Sequence, residues 1–177
     1  MRTPEIKGRR SFVIMGVAGT GKSTVGAALA HALGLAFVEG DAYHPATNVQ
    51  RMAAGIPLTD ADRAPWLNAL AARLRAAEQA GTGLVMACSA LKRSYREVLR
   101  AAATGVTFIY LCGDRGLVAE RIAQRHAHFM PPSLLDSQLA ALEPPTPDEG
   151  AWACDIALGP GDIVASLVER IAIDRTG

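Results

Sequence analysis

Gly16-Val17-Ala18-Gly19-Thr20-Gly21-Lys22-Ser23 decides the fold of this chain. The stretch fits G-x-x-x-x-G-K-[ST], the phosphate-binding P-loop. Glycines let the backbone curl until several N–H groups point inward at phosphate oxygens. Lys22 adds a mobile positive charge suited to β- and γ-phosphates, and Ser23 offers a hydroxyl to Mg²⁺. The helix behind them presents its positive N-terminal end to the same anion. The nucleotide-contacting set is therefore Gly16, Val17, Ala18, Gly19, Thr20, Gly21, Lys22, Ser23 and Thr24, with ATP and Mg²⁺ as the expected cofactors and Ser23 as the metal ligand.

The flanks agree with this reading. Residues 11–15 (SFVIM) are apolar and suit a buried parallel strand. Val25, Leu29 and Leu33 fall at helical spacing, and Gly34 marks the end of that helix. Further outward, strand-like runs at 35–39, 84–88, 106–111 and 152–158 alternate with Ala-, Leu- and Arg-rich helical stretches. Trp66, Leu67, Leu70 and Leu74 share one face of the best of these. The repeating β-α order predicts an α/β fold of three layers, a five-stranded parallel sheet with helices on both faces. Ligands gather at the carboxyl ends of such strands.

Composition is consistent with one such domain. The 177 residues are 50% hydrophobic and 20% charged, and the net charge of +1 supplies no field for nucleic acid or an anionic membrane. Cys88, Cys112 and Cys154 lie in or beside apolar runs and form no C-x-x-C pair, so buried thiols in a reducing cytoplasm are expected. Residues 1–10 lack the apolar core of a signal peptide, and no run is long enough to span a membrane.

Two polar, proline-containing segments interrupt the pattern, at 40–63 and 125–147. The first follows the second strand, which suits an acceptor-binding region of about 41–65. The second follows a helix carrying Arg121 and suits a lid of about 121–147. Asp41, in Glu39-Gly40-Asp41-Ala42-Tyr43-His44-Pro45, stands across the crevice from Lys22. A carboxylate there accepts the proton of an alcohol acceptor or caps the turn. His44 donates to a substrate oxygen or packs locally. Arg51 clamps a substrate carboxylate or stays solvated. Thr59, Asp60 and Asp62 cap the helix that carries Trp66, which anchors it. Ser89 and Lys92 leave the third strand at the same level. No Walker-B aspartate ends that strand, which favours small-molecule kinases over motors.

Arg121 and Arg125, four apart, project from one helix face and suit stabilisation of charge on a transferring phosphoryl group, unless they form a solvated basic face. His126 and His128 have no acidic or cysteine partner nearby in sequence to complete a zinc site. Gly159-Pro160-Gly161, after the last strand, borders the base.

Assembled, the chain resembles the P-loop gluconokinases, small kinases related in fold to shikimate and adenylate kinases. The resemblance rests on Met15-Gly16-Val17, Gly40-Asp41-Ala42-Tyr43-His44-Pro45, Asn48 through Arg51-Met52, and Gly55-Ile56-Pro57-Leu58-Thr59-Asp60. It continues through Asp62-Arg63-Ala64-Pro65-Trp66-Leu67, Cys88-Ser89-Ala90-Leu91-Lys92, Tyr95-Arg96, Phe108-Ile109-Tyr110-Leu111, His128-Phe129-Met130, Ser137-Gln138 and Leu142-Glu143-Pro144. It implies ATP-dependent phosphorylation of D-gluconate to 6-phosphogluconate by a homodimer. Carried over residue by residue, it implies catalytic roles for Lys22, Asp41, Arg121 and Arg125. It implies substrate contacts from Asp41, His44, Arg51, Ser89, Lys92, Arg96, His128 and Gln138. Ala127 and Pro131-Pro132 depart from the glycine and lysine-like residues of the family pattern. Shikimate is the nearest rival acceptor, though no Gly-Gly-Gly turn ends the third strand. A nucleotide-binding protein without turnover is the rival of another class; it has no need for Asp41, Arg121 and Arg125 together.

Overall fold

A computed structural model describes residues 10–124 and 132–174. Five parallel strands, β1 (Ser11–Met15), β2 (Ala36–Glu39), β3 (Leu84–Ala87), β4 (Val106–Cys112) and β5 (Trp152–Asp155), form one sheet in the order β2-β3-β1-β4-β5. The register sets Phe12 beside Val85 and Thr107, and Val38 beside Met86. Among the described residues six α-helices connect them, α1 (Lys22–Leu33), α2 (Ala46–Ala53), α3 (Asp60–Gln79), α4 (Arg93–Arg100), α5 (Arg115–Ala123) and α6 (Pro132–Ala141), and α7 (Pro160–Ile173) follows β5.

Alternation along β1 explains the three layers. Val13 and Met15 face one way, into a core with Trp66, Leu67, Leu70 and Leu74 of α3 and Tyr95 and Leu99 of α4. Phe12 and Ile14 face the other way, toward Val25 and Leu29 of α1 and Ile163, Leu167 and Ile171 of α7. A strand flanked on both faces has no polar side, hence the unbroken apolar run of β1. The expected α/β class with helices on both faces is therefore observed.

Local signals stop the elements where the chemistry requires. Gly34 closes α1 in a left-handed conformation at φ 64°. Thr59 and Asp62 form a reciprocal capping box at the start of α3. Two features differ from the sequence reading by more than a residue. The fifth strand stops at Asp155, because the Asp155 carboxylate accepts the Ala157 N–H at 2.8 Å and folds the chain into a turn. The second interrupting segment contains helix α6, hidden in the sequence between proline pairs at either end.

Cys88 is buried, whereas Cys112 and Cys154, on neighbouring strands, are only half-buried; all three are free thiols. No helix among the described residues is long and apolar enough to cross a membrane.

Candidate active site

The strand order brings three carboxyl ends side by side: β2 runs into the short 3₁₀ helix Gly40–Tyr43, β3 into Cys88 and Ser89, and β1 into the P-loop. Gly40 is obligatory here, since a Cβ on it would lie 2.2 Å from the Ala87 carbonyl oxygen of β3. That close approach delivers Asp41 to the crevice. The charges of Asp41, Lys22 and Glu39 all act on the Cys88 thiol, whose pKa is pushed up to about 12, chiefly by burial. Lys22 and Asp41 thus both lie within electrostatic reach of the end of β3.

The P-loop is held by its own side chains. Thr20 Oγ1 and Lys22 Nζ donate to the Val17 carbonyl at 2.9 and 3.0 Å, and the Gly16 N–H donates to the Ser89 carbonyl at 3.3 Å. The N-cap of α1 is Gly21, which brings no side chain to compete for the first-turn N–H groups, and that turn has no acidic residue. An anion meets uncancelled helix dipole there. Ser23 Oγ donates to the Glu39 carboxylate. Two hard oxygen donors in contact fit the preference of Mg²⁺ for oxygen ligands. Val17, Gly19 and Thr20 are buried within the loop, and Thr24 is exposed on α1.

The acceptor segment is a lattice of side chains around α3. The His44 ring stacks on Trp66 with centroids 4.2 Å apart and planes 14° from parallel, while Trp66 Nε1 donates to the Gly40 carbonyl at 2.8 Å. Trp66 therefore anchors α3 and carries His44 as well. Asn48 is buried; its Nδ2 donates to the Asp62 carbonyl at 2.8 Å and lies 3.4 Å from His44 Nδ1. An amide N–H facing Nδ1 makes that nitrogen the acceptor, so the His44 proton sits on Nε2, available to a ligand. Burial lowers the His44 pKa below 6.5, with Asp41 opposing and Arg63 adding to the shift.

A row of cations continues from His44. Arg51 pairs with Asp62 at 3.8 Å. Arg63 donates to the Leu58 carbonyl at 2.5 Å and to Tyr95 Oη at 3.3 Å. Lys92 Nζ donates to both Asp60 oxygens at 2.8 and 3.1 Å, and Tyr95 Oη donates to the same carboxylate. These bonds raise the Lys92 pKa and lower that of Asp60. The arrangement offers a basic rim for an acidic ligand beside a carboxylate–lysine crevice for phosphoryl transfer.

Ser23 is tied to Glu39, Lys22 and Asp41 both act on Cys88, His44 and Arg51 lie along the acceptor segment, and Lys92 reaches that segment through Asp60. Ser89 sits between the two, half-buried, with its carbonyl on the P-loop. Two expectations need correction. Arg96 does not face the crevice: its side chain is 1% exposed and its guanidinium is taken by Glu149, Ala90 and Leu91. Gln138, on α6, accepts the Ala18 N–H at 2.7 Å and so touches the P-loop rather than the acceptor segment. On α5, Arg121 donates to the Ile156 carbonyl at 2.6 Å, on the loop after β5. Arg125 and His128 lie outside the described residues.

Sequence reasoning gave no role to Glu39, Arg63 or Tyr95. Glu39 was legible as an acid at the carboxyl end of the strand beside the P-loop. Arg63 and Tyr95 stood inside quoted motifs without a partner to suggest their use.

Residues 12–145 match the family model described as an AAA domain. A gluconokinase of Gluconobacter oxydans is 54% identical over 140 residues, covering 79% of each chain. The crystal structure of a gluconokinase from Sinorhizobium meliloti superposes with a TM-score of 0.82 at 45% identity, over 96% of this chain and 99% of the other. That of an unliganded sugar kinase from Janibacter gives 0.88 at 43% identity, over 93% and 95%. A P-loop facing an acidic strand end, a cationic acceptor rim, and this degree of identity together show that the chain belongs to the gluconokinase family.

Proposed function

We propose that the chain transfers the γ-phosphoryl group of ATP to the 6-hydroxyl of D-gluconate, giving 6-phosphogluconate and ADP. The observation that carries this reading is the hydrogen bond between Ser23 of the P-loop and Glu39 at the end of β2, two residues before Asp41, next to the basic rim of Arg51, Arg63 and Lys92. Gluconate has one feature for each half, an alcohol at one end and a carboxylate at the other.

In this reading Asp41 orients the 6-hydroxyl and accepts its proton as the oxygen–phosphorus bond forms and the bond to ADP breaks. Lys22 leaves the Val17 carbonyl for the phosphates. His44 donates from Nε2 to a hydroxyl of the sugar acid, Ser89 borders it, and Arg51 and Lys92 meet its carboxylate. Ser23 and Glu39 hold Mg²⁺, which neutralises phosphate charge when bound. Arg121, in the segment read as a lid, exchanges the Ile156 carbonyl for the γ-phosphate, and the family resemblance implies the same role for Arg125. The reading extends to the cytoplasmic homodimer that the family resemblance implies; gel filtration with light scattering checks the dimer.

The deciding experiment measures ADP release across a panel of sugar acids and shikimate. Gluconate is expected to give the highest kcat/KM. A preference for shikimate overturns the assignment, and less than one ADP per enzyme with every acid favours a binding protein without turnover.

A further inference from the structure

Residues 88–92 join β3 to α4 and carry Ser89 and Lys92 into the site. Their backbone is unusual. Ala90 has φ 44°, the one positive-φ residue other than glycine among the described residues, and it is fully buried. The Cβ of an L-residue disfavours that conformation, so something outside the turn must hold it.

Arg96 does so from one turn into α4. Its Nη1 donates to the carbonyls of Ala90 and Leu91 at 3.0 and 3.2 Å. Its Nε and Nη2 donate side by side to Glu149 at 2.6 and 2.8 Å, a fork-to-fork pair with both side chains 1% exposed. Glu149 is fixed in turn. Its Oε1 accepts the Thr146 N–H at 3.2 Å, and its carbonyl accepts from Arg100 at 3.0 Å. The Leu91 carbonyl also accepts the Glu143 N–H at 2.8 Å, and Arg93 binds Asp148. The front of the turn touches both halves of the site: the Ser89 carbonyl takes the Gly16 N–H, and Lys92 takes Asp60.

A buried ion pair contributes little net stability compared with an apolar pair of equal volume. An apolar pair here would strip the Ala90 carbonyl of its Arg96 donor, and the turn would relax. We infer that Arg96, locked by Glu149, is a positioning residue that holds the turn at 88–92 in its strained form and so aims Lys92 and Ser89 at the acceptor. The inference rests on the reading of Lys92 as an acceptor contact.

The test is steady-state kinetics of the full chain well below its melting temperature, for wild type, Arg96→Lys and Ala90→Gly. Arg96→Lys is expected to raise KM for gluconate about tenfold while KM for ATP stays within about twofold, since misplacing one group loses only the contacts it made. Ala90→Gly keeps the turn, because glycine adopts φ 44° freely, so its gluconate KM is expected to stay within about twofold of wild type. Combined with Arg96→Lys it is expected to recover about threefold or more of the lost gluconate KM, since the turn then no longer needs holding. Unchanged gluconate KM in Arg96→Lys, parallel rises for gluconate and ATP, or no recovery in the double variant overturns the inference. Should Arg96→Lys lose its cooperative melt, Glu149→Gln, which loosens the lock on Arg96, takes its place with the same outcomes. A wild type that ignores gluconate instead fails the functional reading; the positioning role is then scored on whichever acid of the panel turns over.

Discussion

The two halves of the site are made of different material. The nucleotide half is backbone: a glycine-rich curl, an uncapped helix start, and side chains such as Thr20 that bond back to the loop itself. The acceptor half is side chain: His44 on Trp66, and Arg51, Arg63 and Lys92 each tied to an acid, a carbonyl or a phenol. Main-chain N–H groups read phosphate whatever is attached to it, so the first half can serve any nucleoside triphosphate kinase. In the proposed reading only the second half selects the acceptor, with groups that are each paired in this structure.

The comparison is broken most severely at Asp41, where the halves meet. Asp41→Asn is expected to lower kcat about 10²- to 10⁴-fold with KM for ATP nearly unchanged. A turnover close to wild type in a coupled assay removes the proton-acceptor role. Glu39→Gln comes next. It should raise the Mg²⁺ concentration needed for half-maximal rate by about tenfold or more, leaving gluconate KM alone; a magnesium titration at fixed ATP reads this. Arg51→Gln tests the acceptor half by itself. KM for gluconate should rise about tenfold, the scale of one charge-assisted hydrogen bond, with no change for ATP. Equal effects on both substrates would erase the distinction between the halves.

The smallest effect is on stability. Burial holds the His44 pKa below 6.5, so the unfolded chain takes up a proton that the native chain resists. The His44 contribution is complete above pH 6.5 and is lost as pH falls from there through the native value. Calorimetry between pH 7.5 and 5 should show a steeper loss of Tm for wild type than for His44→Gln. Glu149, whose pKa the Arg96 pair lowers from 4.5, acts in a more acidic window and leaves that difference untouched. Identical slopes for the two proteins would place His44 in solvent.

Legibility followed the range of the interactions. The P-loop, the Gly34 stop and the Thr59–Asp62 box are written within a few neighbouring residues, and all were readable. Asp41 was readable as a position, since it follows a strand beside the P-loop. Arg96 was not: its partner Glu149 lies 53 residues on, and an arginine in a site-like motif looks the same whether it faces ligand or core. Gln138 reaches the P-loop across 120 residues. α6 was masked by prolines, which announce loops locally but here bracket a helix.

The strand order has a consequence for synthesis. β1 is the first strand made, yet its neighbours are β3 and β4, with Phe12 waiting for Val85 and Ser11 for Val106. Until residue 87 leaves the ribosome SFVIM has no partner strand, and until residue 112 one of its edges stays unpaired; chains of this topology are slow to close and prone to aggregate. Nascent chains arrested before β4 should be digested readily by a brief protease pulse, and chains arrested after β5 should resist it.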